Sequence, residues 1–200
     1  MSRLLLIRHG ATDWNAAGRI QGRSDQPLSP AGRSAVATWG LPPNAAGARW
    51  ICSPLVRARD TAAILHAGPV ETEPCLIETD WGAWEGRTLM ALRAELGAGM
   101  AAQEARGLDF RPPGGESPRD VQDRLRPLLA SLAEAADDVV AVTHKGVIRA
   151  VYSLASGWDM RAEPPQKLTD ACIQVFALVP GGAPRIETLN LPLRVTCRTP

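Results

Sequence analysis

The chain has 200 residues and carries 22 Lys and Arg against 21 Asp and Glu, a formal charge of +1. Such a length suits one ordinary domain with its own core, and a nearly cancelled charge removes any global electrostatic case for nucleic acid or an anionic membrane, so an anion site must be built locally. Four cysteines (Cys52, Cys75, Cys172, Cys197) lie far apart with no paired ligand spacing, which argues against a zinc site or redox motif and for small apolar core residues in a reducing compartment.

The first predicted element is a strand at Leu4–Ile7, a continuous apolar run of the kind buried on both faces of a parallel sheet. It is too short for a signal-peptide core or a membrane span, and a soluble cytoplasmic protein is expected. Ser29-Pro30 opens a helix toward Trp39, with serine as cap and proline at the first helical position. Trp50–Cys52 reads as a short strand, and Ser53-Pro54 repeats the cap signature before a helix over Leu55–His66. The stretch from Gly86 to Ser117 is less regular, and its Pro-Pro-Gly-Gly run at 112–115 signals a loop.

Ser117 to Ala135 reads as a long amphipathic helix, with Val121, Leu125, Leu128, Leu129 and Leu132 at helical spacing and Asp120 in the first turn. Val139–Val142 is a second fully apolar strand, followed by a helix over Gly146–Ala155. Cys172–Leu178 and Ile186–Leu191 form a strand pair across the turn Pro180-Gly181-Gly182. Strands alternating with helices imply an α/β fold, here a single domain over 1–200 with an excursion at about 87–116.

Two of the three histidines directly follow the two most apolar strands: LLLIRHG delivers His9 and VVAVTHKG delivers His144. Ligands of open α/β sheets bind outside the carboxyl ends of the strands, so both histidines should face one crevice. In ICSPLVRARDTA, Arg57 falls in the first turn of a helix, where free amides and a planar guanidinium both suit an anion. Arg8, His9, Arg57 and His144 would together make a phosphate pocket, with Arg19 and Arg59 solvated or structural. If the phosphoryl group is transferred, histidine can supply the nucleophile, and a proton donor is then needed for the leaving oxygen. The segment LIETDWGAWEG offers Glu78, Asp80 and Glu85 beside Trp81 and Trp84, and position alone does not choose among them.

These residues resemble the histidine phosphatase superfamily (phosphoglycerate mutase-like, branch 1). The resemblance runs from Leu4 to Ala150 through LLLIRHGATDWNAAGRIQGRSDQPLSPAGR, with its RHG motif, then CSPLVRARDTA, LIETDWGAWEG, PPGGES and VTHKGVIRA, and more weakly through Leu189-Asn190. It implies a three-layer α/β/α sandwich with a mostly parallel central sheet. It also implies a metal-independent, cofactor-free phosphomonoester hydrolase that works through a phosphohistidine intermediate on a small phosphorylated metabolite. In that frame His9 is phosphorylated, Arg8, Arg57 and a protonated His144 hold the phosphoryl group, and Glu78 is the proton donor that follows the family's third strand. Asn15 is a further phosphate contact, and Gln21 and Gly22 border the substrate.

One position departs from the family pattern: Lys145, one of only two lysines, stands where glycine usually follows the second histidine. Either the loop is strained there, or the lysine simply faces solvent, or a cation beside the pocket favours a substrate with a second anionic group. Two other functions are open to the same residues. One is mutase-type phosphoryl transfer, against which stand the short excursion and the Thr-Asp-Trp-Gly sequence. The other is a non-catalytic phosphate-binding module, which would have no use for an acid. Residues 87–116 should set specificity, with Trp14, Trp81, Trp84 and Trp158 as a candidate apolar wall. A homodimer is compatible with this composition, though no residue signals one.

Overall fold

The computed structural model describes residues 2–45 and 47–195. The first apolar run becomes β1 (Ser2–Arg8), followed by a single helical turn, α1 (Asp13–Ala16), and by α2 (Pro30–Ala37), which Ser29 caps as its sequence predicts. Then come β2 (Trp39–Gly40), β3 (Arg49–Cys52), α3 (Val56–Leu65) and β4 (Glu71–Thr72). The excursion is more regular than expected, because Thr88 caps α4 (Leu89–Leu96) and α5 (Ala98–Glu104) follows it directly. After α6 (Pro118–Ala135) come β5 (Val139–Thr143), α7 (Lys145–Ser156), β6 (Cys172–Leu178), β7 (Pro184–Pro192) and β8 (Arg194–Val195).

Six strands form one sheet in the order β4-β3-β5-β1-β6-β7, with β4, β3, β5 and β1 parallel and β6 and β7 joined antiparallel. Side chains alternate across a strand, so a continuous apolar run feeds two cores at once. Leu4 and Leu6 join Val139, Ala141 and Phe176 under α6 and α7, while Leu5 and Ile7 join Val140, Val142, Ile173 and Val175 against α3. Helices on both faces of a mostly parallel sheet make the expected three layers. Of the cysteines, Cys52 is buried as expected, Cys75 and Cys172 are only half-buried, and Cys197 lies outside the described residues. No helix among the described residues is long and apolar enough to cross a membrane.

Candidate active site

Register places the chemistry. β1 and β5 are parallel neighbours with Arg8 opposite Thr143, so the next residue of each, His9 and His144, emerges at the same carboxyl edge. The His9 amide continues the ladder to the Thr143 carbonyl at 3.0 Å, and the two imidazole centroids lie 5.1 Å apart. β3 ends one step away, with the Ser53 amide bonded to the Val142 carbonyl at 2.9 Å. Three strand ends therefore deliver His9, His144 and Ser53 to one place.

The tautomers follow from the partners. His9 Nδ1 lies 2.7 Å from the Gly10 carbonyl, which can only accept, so Nδ1 carries the proton and Nε2 keeps a free lone pair. Burial, reinforced by the charges of Arg8 and Arg57, pushes His9 down to about 3 from an ordinary 6.5. His144 is wholly buried and receives a hydrogen bond on Nδ1 from Arg57 Nε at 3.3 Å, which leaves Nε2 to donate to Ser53 Oγ at 2.6 Å. Desolvation and the neighbouring cations hold its pKa well below normal. Where a protonated His144 is expected, burial beside a second histidine and guanidinium groups favours the neutral imidazole instead.

Arg57, fully buried in the first turn of α3, spends its fork on the chain opposite, donating to the carbonyls of Ser24 at 2.9 Å and Gly22 at 2.7 Å. Gly22 has φ +52°, and a Cβ there would lie 1.9 Å from Glu85 Oε1, so only glycine fits. Glu85 in turn accepts from the amides of Arg23 (2.7 Å) and Ser24 (2.8 Å), clamping the same loop from its other side. The cap predicted at Ser53 is not used as such. Leu55 is the N-cap of α3 with no side-chain bond, the Val56 amide turns to Asp25 Oδ1 at 2.8 Å, and the Ser53 hydroxyl serves His144. Arg8 pairs with Asp170 at 2.6 Å through one terminal nitrogen, while its Nε is the buried side-chain polar atom left without a partner among the described residues.

Of the three carboxylates left open by the sequence, only Glu78 lines the cavity that holds Arg8, His9 and Arg57. Glu85 is consumed by the loop clamp, and Asp80 accepts from the Gly82 amide and pairs with Arg23 at 3.4 Å. Glu78 does not follow a strand directly, since β4 stops at Thr72 and a 3-10 turn at Pro74–Leu76 intervenes. That turn is fixed by Thr143 Oγ1, which donates to the Leu76 carbonyl at 2.7 Å, and by Arg124, which donates to the carbonyls of Cys75 and Ile77. Glu78 itself accepts from the amides of Thr79 at 2.8 Å and Gly146 at 3.3 Å. A Cβ on Gly146 would come within 2.4 Å of Glu78 Oε1, so this glycine holds room for the acid.

Asn15 lines the cavity with its Oδ1 tied to the Thr12 amide at 3.0 Å, and Gln21 is buried with Oε1 held by Thr12 Oγ1 at 2.9 Å, so one threonine orients both. The cavity is about 650 Å³. One wall comes from the excursion, through Leu89, Arg93 and Phe110. The connection from α7 to β6 also lines the cavity, supplying Trp158, which the sequence offered as a wall residue, and Met160, Lys167 and Asp170, which it did not. Trp81 and Trp158 line the cavity, whereas Trp84 packs with Leu92 and Met100 and, like Trp14, lies outside the lining. Arg19, read as solvated or structural, is exposed at the cavity wall. Among the described residues no group of three His, Cys, Asp or Glu side chains is placed to hold a metal ion.

Fold and site together define a phosphoglycerate mutase-like α/β protein whose sheet edge opens on a cavity lined by His9, Arg8, Arg57 and Glu78. The chain belongs to the histidine phosphatase superfamily (branch 1), whose profile matches residues 4–192. It is 37% identical over 170 residues to a glucosyl-3-phosphoglycerate phosphatase of Mycolicibacterium vanbaalenii, a match covering 78% of this chain and 74% of that protein. A probable phosphoglycerate mutase (GpmB) of Salmonella paratyphi C is also 37% identical, over 139 residues covering 67% of this chain and 64% of its own length. The solved structure of mycobacterial glucosyl-3-phosphoglycerate phosphatase with inorganic phosphate superposes with a TM-score of 0.79 at 29% identity, covering 98% of this chain and all of that one.

Proposed function

We propose that the chain hydrolyses a small phosphomonoester by two successive displacements at phosphorus, with His9 as nucleophile. The observation that carries this reading is the His9 tautomer: Nδ1 is committed to the Gly10 carbonyl, so the unprotonated Nε2 is ready to attack, and the low pKa keeps it so across the neutral range. In the first step Nε2 bonds to phosphorus as the P–O bond to the alcohol breaks, and Glu78 gives its proton to the departing oxygen. In the second, Glu78 takes a proton from a water whose oxygen attacks the phosphohistidine, releasing inorganic phosphate and restoring the imidazole. Arg8, with its orphaned Nε, and Arg57 supply the fixed positive charge that the equatorial oxygens require, and Asn15, Gln21 and Gly22 border the group from the α1 side. The neutral His144 acts as a hydrogen-bonded brace between Arg57 and Ser53.

Relatives that are phosphatases of glucosyl-3-phosphoglycerate support hydrolysis of a metabolite over its isomerisation. The test is turnover of p-nitrophenyl phosphate in chelator, beside a His9→Ala variant, with acid-labile phosphate on the protein measured after rapid quench. Wild-type turnover with a phosphoenzyme, both lost in the variant, is the expected result. Turnover that survives the substitution would overturn the assignment of His9. Formation of 2-phosphoglycerate from 3-phosphoglycerate without phosphate release would replace hydrolysis with the mutase reaction.

A further inference from the structure

Lys145 and Arg149 lie four residues apart on α7, hence one turn apart on the same face, about 6 Å along its axis, and both line the cavity. Neither has a hydrogen-bond or ion-pair partner among the described residues. Arg149 is half-buried with its guanidinium 4.9 Å over the Trp158 ring, which fixes its plane while leaving its donors unused. Lys167 enters the same space from the facing loop. Three carboxylates answer these cations: Asp170, already spent on Arg8, and the exposed Glu163 and the proton donor Glu78, neither of which is within ion-pair range of Arg149. The lysine ammonium feels the imbalance: desolvation, then repulsion from Arg8 and Arg149, lowers its pKa. Backbone strain has no part in this, because Lys145 is absent from the residues with positive φ and simply opens the helix.

Glu78 fixes the direction. It is held by the amide of Gly146, the residue beside Lys145, and as proton donor it marks where the leaving oxygen lies. The unpaired cations therefore face the alcohol portion of the substrate and not the transferred phosphoryl group. We propose that Lys145 and Arg149, with Lys167 opposite, form a second anion subsite, so that the preferred substrate is a phosphomonoester whose alcohol carries a further carboxylate or phosphate group. This rests on the hydrolase reading given above.

The test uses matched pairs differing in that one charge: 3-phosphoglycerate against glycerol 3-phosphate for a carboxylate, and fructose 1,6-bisphosphate against fructose 6-phosphate for a phosphate. In wild type the charged member of one pair should have a kcat/KM higher by roughly tenfold or more, the size of a charge-assisted contact, and the responding pair identifies the anion. In Lys145→Met and in Arg149→Gln that ratio should fall by several-fold to roughly tenfold. A purely structural role would slow both members alike and leave the ratio unchanged, which overturns the proposal. Equal rates within both wild-type pairs, with p-nitrophenyl phosphate still hydrolysed, overturn the subsite and leave the phosphatase standing. If nothing is hydrolysed, the phosphatase reading fails instead. Calorimetric affinities of the same pairs for the His9→Ala protein then decide the subsite without turnover, discrimination supporting it and parity overturning it.

Discussion

At the scale of single residues, the site depends on hydrogen bonds that leave each group one free function. His9 keeps a lone pair because Gly10 takes the proton of its other nitrogen, and His144 is braced because Arg57 and Ser53 occupy both of its nitrogens. Glu78 is held by two backbone amides, which fix the orientation of its carboxyl group toward the cavity. A Glu78→Gln protein should therefore lose activity in proportion to the leaving group's need for a proton. Rates of phosphoenzyme formation after rapid mixing, which report the first step alone, should fall by about 10² or more on glycerol 3-phosphate and by far less on p-nitrophenyl phosphate, whose phenolate departs unaided. Equal losses on both esters would remove Glu78 as donor.

At the scale of elements, signals in the sequence worked where a side chain answers to its own neighbours. Ser117 accepts from the Asp120 amide at 3.2 Å and Asp120 returns to the Ser117 amide at 2.8 Å, a reciprocal box that starts α6 where the Ser-Pro-x-Asp sequence predicts. Denaturant unfolding of Ser117→Ala should show a loss of about 1 kcal/mol, within the range for removing such a cap; no change in midpoint would mean that packing alone starts the helix. The same Ser-Pro signature at 53–54 places the cap two residues early: Ser53 Oγ accepts from the Leu55 amide at 3.3 Å and from the buried ring of His144 at 2.6 Å, while Leu55 is the N-cap. Within the less regular stretch from Gly86 to Ser117, α4 and α5 leave no periodic pattern in the sequence because they are short and bury chiefly Leu92 and Met100.

At the scale of the whole molecule, β1 belongs to both cores, so neither face of the sheet can unfold without exposing the other's lining. Residues 2–195 should unfold in one calorimetric transition, with van't Hoff and calorimetric enthalpies equal; two resolved transitions would divide the chain. The transition should also move with pH in a defined direction. Between pH 6.5 and about 3 the unfolded chain binds a proton that folded His9 refuses, and His144 acts in the same sense, so stability rises with pH through that window and is lost as pH falls. Paired carboxylates titrate from about 4.5 downward, so a decline in Tm between pH 6.5 and 5 isolates the histidines. A flat Tm there would contradict their burial as neutral rings.

The sequence by itself determined the strands, the strand-end histidines, the arginine in a helix start and the α/β class, because each is encoded by residues adjacent in the chain. Choosing Glu78 over Asp80 and Glu85 took the family resemblance, and the fold shows why the other two are unavailable, each being committed to structural hydrogen bonds and ion pairs. Only the tertiary structure decided that burial favours a neutral His144, that Ser53 braces it, and that Met160, Lys167 and Asp170 join Trp158 in lining the cavity. Those properties arise from partners 68 to 91 residues apart in sequence, such as Gly146 with Glu78 or Ser53 with His144, and from desolvation, which no local pattern records.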